Sequence, residues 1–315
     1  MSLSKQSCPL YGGQAVVEGV MFTGKNVTVT AIRRKDQSIE YFTMKNIENK
    51  TLHQLKKIPF LRGIVALFQS IANGSKHLNF SAERFDVDTG EEIKQDNSKL
   101  TMILGVTLVG ILSFIIGKLL FTALPAALAQ ILFGKMVPNQ FVNNLIEGLI
   151  KILLLLIYIL AIAATPFVKR LFQYHGAEHK VINTFEAGEE LTVENVKKYS
   201  RFHYRCGSSF IVLTVIIGVV IYSIYNVFFP YHSIWDRVVQ RIFLIPVVIG
   251  VSYEFLRFTN AVRDIPILKW LGLPGIWLQN FTTKEPDDRQ IEVSIASFKR
   301  MRELDAKSDE LLFIK

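Results

Sequence analysis

Four stretches of the chain are almost entirely apolar. Residues 101–124 carry one charge, Lys118, and residues 145–168 carry Glu147 and Lys151 within an otherwise aliphatic run. Residues 209–229 carry none, while 242–258 is shorter and includes Pro246 and Glu254 between Arg241 and Arg257. A helix needs about 20 apolar residues to cross about 30 Å of hydrocarbon. The first three runs qualify, and the fourth does so if its terminal arginines snorkel. The pattern predicts a mainly α membrane protein with four transmembrane helices in residues 100–260.

The flanks read differently. Residues 12–22, 27–33 and 39–44 are rich in Val, Ile, Thr, Phe and Tyr and are separated by turn residues, which predicts a small antiparallel sheet. Residues 58–78 place Phe60, Leu61, Ile64, Val65, Leu67, Phe68 and Ile71 at helical spacing beside Lys56, Lys57 and Arg62. That helix suits either a membrane surface or packing on the sheet. Residues 85–99 read as a polar linker. Pro286-Asp287-Asp288 opens a last helix through about Leu304, with Lys299, Arg300 and Arg302 in its final turns. Residues 1–99 and 261–315 are therefore expected to form an N-terminal β-rich region and a C-terminal helical region outside the membrane.

Composition agrees with this and orients it. Half of the 315 residues are hydrophobic and only 20% are charged, which excludes a disordered chain and disfavours a simple soluble enzyme. The net charge of +9 fits basic cytoplasmic loops better than nucleic-acid binding. Residues 125–144 hold only Lys135, and 230–241 hold Arg237 and Arg241. Residues 169–207 hold Lys169, Arg170, Lys180, Lys197, Lys198, Arg201 and Arg205. The bias places that loop and both basic termini in the cytoplasm of a multi-pass cell-membrane protein. Residues 1–10 carry no secretory signal, and two cysteines, Cys8 and Cys206, fit a reducing compartment.

The central loop also carries the chemistry. His175 and His179 share one helical face and can grip one metal ion, and Glu178 lies beside them. His-x-x-Glu-His is an inverted-zincin order, in which the glutamate takes the proton of metal-bound water. A divalent metal, zinc foremost, needs a third protein ligand. His203 and Cys206 close the same loop, and Glu254 sits about 20 Å along a helix that approaches the same surface. Sequence leaves these three open. Glu254 has a competing one-turn pairing with Arg257, and Glu147 and Lys151 most simply pair with each other. Glu18, a lone acid in an apolar strand, is expected to pair with a loop cation or to join the site.

Three separated motifs then carry a resemblance. Tyr11-Gly12-Gly13-Gln14-Ala15-Val16-Val17-Glu18-Gly19-Val20-Met21 resembles the opening of the YqhQ-like bacterial membrane proteins. So do residues 174–180 with Arg205-Cys206-Gly207, and Leu273-Pro274-Gly275-Ile276-Trp277-Leu278-Gln279 followed by residues 282–288. Phe22-Thr23-Gly24 departs slightly from the pattern. The resemblance implies a multipass membrane protein of a family of unknown function, labelled as predicted metal-dependent enzymes. The expected function is a metal-dependent enzyme, most plausibly a hydrolase, at the cytoplasmic membrane surface with membrane lipid as neighbour or substrate. The alternative is a non-enzymatic scaffold or regulator with a membrane-protein partner, as in insertion or quality control. A transporter is disfavoured, because no inverted repeat or polar mid-membrane path is visible.

Overall fold

The computed structural model describes residues 11–46, 50–85, 119–137 and 139–313, together with Leu112, Ile116 and Gly117. The first expected span and the 85–99 linker fall largely outside the described residues, as does Cys8. The described chain is mostly helical with one small sheet.

Strands β1 (Gly12–Val16), β2 (Gly19–Thr23), β3 (Val27–Arg33) and β4 (Ile39–Lys45) form an antiparallel meander in chain order. The run expected as one strand over 12–22 is a hairpin, because the chain reverses at Val17-Glu18 and Val16 pairs with Gly19. Glu18 sits there with φ 51°, a region that residues with a Cβ seldom enter. β3 is buried on both faces. Val29 and Ala31, with Val20 and Phe22 of β2, join a core with Tyr174, Ala177, Ile291 and Phe298. Ile32, Met21 and Val16 turn to the opposite face, toward Phe80.

Two helices beyond the sheet supply the first of these cores. They are α5 (Pro166–Glu186) and α11 (Asp288–Phe313), the latter ending nine residues beyond the expected Leu304. The other face takes the C-terminal half of α2 (Leu61–Arg84), which follows the short α1 (Lys50–Leu55). Gly74 lies against Gln14, and His77 Nδ1 is 2.7 Å from Thr30 Oγ1. The helix expected over 58–78 thus packs on the sheet, yet Phe68 and Ile71 remain exposed.

The apolar part is a bundle. A π-type turn, Leu119–Ala123, leads into α3 (Leu124–Phe133), so much of the loop expected over 125–144 is helical. α4 (Gln140–Ala163) and α7 (Gly207–Phe228) are each long and apolar enough to cross a membrane. Between them the expected loop is chiefly α5, followed by the short α6 (Val193–Lys198). α8 (Ile234–Phe243) and α9 (Ile245–Ala261) form a broken third candidate, bent by 50°. Pro246 in the first turn of α9 cannot donate back into α8, which accounts for the break. Two spans, or three with the bent pair, are therefore apparent among the described residues, where four were expected from the whole chain.

The bundle is polar inside and apolar outside. On α8, Trp235, Val239 and Phe243 are exposed while Arg237 and Arg241 are fully buried. Both arginines bond Glu147 of α4, with Arg237 Nε at 3.0 Å and Arg241 Nη2 at 3.0 Å. This corrects two expectations. Glu147 is paired across 90 residues or more rather than simply with Lys151, and the arginines read as loop charges point inward. α4 and α7 run antiparallel. Asn144 meets Asn226 at one end, while Ile159 packs with Val212 toward the other. After a 3-10 turn at Leu268–Gly272, α10 (Leu273–Thr282) crosses α7, where Gly275 permits a close approach to Ser209.

Candidate metal centre

α5 begins with Thr165 as N-cap and Pro166 in its first turn, and two residues past its end the chain turns at Gly188, whose φ of +79° suits a helix stop. This helix packs against β1 and α11, and its middle meets the strap that follows α10. At Gly176 an added Cβ would stand 2.1 Å from the Lys284 carbonyl, so only glycine admits the strap that follows α10. His175, Glu178 and His179 lie on the next turn. The last two are buried, and the imidazole rings of His175 and His179 are 4.5 Å apart.

The fold brings Cys206 to these histidines. It occupies the N-cap position of α7, is 4% exposed, and places Sγ 3.2 Å from His175 Nε2. One donor atom from each of His175, His179 and Cys206 lies within 4.8 Å of the others. Tetrahedral zinc with Zn–S near 2.3 Å and Zn–N near 2.0 Å separates its S and N ligands by roughly 3.5 Å, so this donor set fits such an ion. Each histidine is oriented through its other nitrogen. Nδ1 of His175 is 2.8 Å from the Thr282 carbonyl, and Nδ1 of His179 is 2.6 Å from the Arg201 carbonyl. A proton on Nδ1 satisfies those bonds and leaves Nε2 as the lone-pair donor.

The other two candidates stand elsewhere. Glu254 accepts from Arg62 Nε at 2.6 Å and from the Phe60 N–H at 3.1 Å, and is not in the three-donor group. Its principal partner is therefore Arg62 of α2 rather than Arg257. His203 is 5% exposed, its ring 5.6 Å from that of His179, and is likewise outside the three-donor group. His203 and Cys206 do line one cavity of about 270 Å³ together with His175, Glu178 and His179.

Charges in the cavity are strongly coupled. Burial pushes the Cys206 thiol up, but the charges and hydrogen bonds of His175 and His179 outweigh it and take the thiol well below its usual range. Burial lowers His175, yet the Cys206 charge and hydrogen bond, with Glu178, lift it to about 9. Both shifts favour the charged forms of Cys206 and His175. Burial raises the Glu178 carboxyl against the opposing pull of His179 and His175.

A family model described as "Protein of unknown function (DUF1385)" matches residues 58–304. The chain belongs to that family. It is also 51% identical over 307 residues to "Uncharacterized protein YqhQ" of Bacillus subtilis (strain 168), covering 96% of this chain and 95% of that protein. No solved structure matches it. The family match spans all three donor residues, while β1 to β4 precede it.

The three resembling motifs converge: the first two line the cavity, and the last bonds residues that line it. From the first motif, Gly13 lies under Glu178, where a Cβ would stand 2.8 Å from its Cγ. In the same motif, Glu18 accepts from Arg170 Nη2 at 2.6 Å and from Tyr174 Oη at 3.1 Å, tying the hairpin to α5. From the last motif, Gln279 accepts the His203 N–H at 2.8 Å and donates to the His203 carbonyl at 2.7 Å. Thr282 and Thr283 position His175 and Arg201. Sequence reading singled out these stretches but did not assign Gly13, Arg201, Gln279 or Thr282 to the site. A glycine or glutamine buried against a loop more than 70 residues away carries no local signal of it.

Proposed function

We propose that this family member is a polytopic cell-membrane protein with a metal-dependent hydrolytic centre at the cytoplasmic surface. The observation that supports it most is the convergence of His175, His179 and Cys206, with both Nδ1 atoms engaged by backbone carbonyls. Lys and Arg concentrate in residues 169–207, which favours a cytoplasmic position for the site and for both termini. Cys206 immediately precedes the α7 span, so the centre lies at the depth of the lipid headgroups.

His175 Nε2, His179 Nε2 and the Cys206 thiolate would hold a zinc ion or similar divalent cation. A bound ion of this kind polarises an acyl or phosphoryl oxygen and makes water acidic near neutral pH. Glu178, its Oε2 4.0 Å from His175 Nε2, stands beside the donor set and accepts the proton from the attacking water. Gly13 leaves room for that carboxylate, and burial of Glu178 and Cys206 limits competing solvent.

Glu178→Gln tests the reading, since it preserves shape and abolishes the base. The variant is expected to keep its metal while activity on a membrane substrate, or in-cell complementation, falls by about 10²- to 10⁴-fold. Full function in Glu178→Gln would make the metal structural and favour a scaffold for a membrane-protein complex.

A further inference from the structure

The first half of α2 carries an apolar face that the fold leaves bare. Leu61, Phe68 and Ile71 fall on one side of the helix and are 43%, 68% and 59% exposed. Ile58, Pro59 and Phe60, all exposed, extend that face into the corner before the helix. A contiguous apolar patch of this kind marks an interaction site. This half of α2 runs along α9, one limb of the broken candidate span. Glycines allow the approach: a Cβ on Gly250 would stand 2.9 Å from the Phe60 carbonyl oxygen, and one on Gly63 2.5 Å from Tyr253 Cβ. Glu254 of α9 pins the corner, accepting from the Phe60 N–H at 3.1 Å and from Arg62 Nε at 2.6 Å. Phe60 is held there at φ 67°, a costly backbone for a residue with a Cβ, which persists only where its surroundings enforce it.

We infer that residues 58–71 dip this face into the acyl layer of the bilayer leaflet on the side of the metal centre. The partner is lipid because the face is continuous with a candidate span: α2 is bound to α9, which itself exposes Val247 and Phe258. Lys56 and Lys57 stand just ahead of the apolar corner, and basic residues beside such a face complement anionic headgroups. An interfacial helix of this type sinks its apolar side about 5–10 Å below the headgroups. The second half of the same helix packs on the sheet, with Gly74 against Gln14, next to the Gly13 that lies under Glu178. One continuous helix therefore ties the metal cavity to the leaflet and fixes its height above it. The inference rests on the membrane part of the reading above and is independent of the metal.

Spin-label accessibility tests this on the full chain, reconstituted in vesicles of phosphatidylcholine and phosphatidylglycerol. Nitroxides are placed singly through Phe68→Cys, Ile71→Cys, Lys76→Cys and Val220→Cys in a Cys8→Ser background, where the remaining Cys206 is 4% exposed. Val220, 49% exposed on α7, is the reference for acyl chains, and Lys76, exposed on the polar side of α2, is the reference for water. Labels at Phe68 and Ile71 are expected to collide more with oxygen than with an aqueous nickel chelate, as at Val220, with the order reversed at Lys76. Nickel collisions in excess at Phe68 and Ile71, while Val220 still favours oxygen, would overturn the inference and leave the span intact. Poor access of both reagents to Phe68 and Ile71 would also overturn it, by assigning the face to a second copy or another part of the chain. Nickel in excess at Val220 would overturn the membrane reading itself, and this inference with it.

Discussion

His77 shows how a single side chain can be wholly structural. It is fully buried, its Nδ1 is bound to Thr30 Oγ1, and its ring meets Phe42 edge-on with centroids 4.9 Å apart. Burial, and secondarily the charge of Lys76, lowers it to about 4. The unfolded chain therefore takes up a proton near pH 6.5 that the folded protein refuses until about pH 4. The histidine's contribution is complete above pH 6.5 and is lost as pH falls toward 4, by up to about 3 kcal/mol. His77→Phe is expected to flatten the decline of melting temperature over that window, and an unchanged slope would contradict the assignment. His175 and His179 differ in standing with Cys206, one donor atom of each within 4.8 Å of the others. Their pairing was legible in the sequence because i, i+4 spacing is a local property of one helix. The choice among His203, Cys206 and Glu254 was not, since each depends on where a distant chain segment returns.

Among elements, α8 departs most from its sequence reading. Two arginines twelve or fewer residues after an apolar span look like solvated loop charges. They turn inward instead, because Glu147, Asn143 and Asn144 on α4 supply the acceptors. Exchanging water for those acceptors is tolerable because each buried guanidinium is paired with Glu147 and bonded to a neighbouring amide, which no one segment reveals. The outer face, with Trp235 79% exposed, is then free to meet lipid. Sheet strands were readable from their β-branched runs, but the Val17-Glu18 reversal was not, since its left-handed Glu18 is held by Arg170 and Tyr174 from α5. The proposed orientation can be checked. Asn139 and Ser233 are exposed caps at one end of the bundle, and Glu189 is exposed on the side of the metal centre. Cysteine at Glu189 should resist membrane-impermeant thiol reagents in intact cells, whereas cysteine at Asn139 or Ser233 should react. Rapid labelling at Glu189 would reverse the orientation.

For the whole molecule, the site exists only because separated regions close on one helix. The hairpin supplies Gly13, α5 supplies His175, Glu178 and His179, the start of α7 supplies Cys206, the segment before it supplies the Arg201 carbonyl, and α10 supplies the Thr282 carbonyl and Gln279. The candidate span α7 begins next to Cys206, which is the physical basis for the membrane-surface substrate proposed above. All of this turns on whether the donor set holds an ion. Elemental analysis of the full chain, purified in detergent without chelators, is the most direct measurement. The account predicts close to one equivalent of zinc or a similar divalent metal per chain, with most of it lost in His175→Ala, His179→Ala or Cys206→Ser, since each removes one of three protein ligands. A metal-free wild-type protein, or an unchanged metal content in the His175→Ala, His179→Ala double variant, would contradict it.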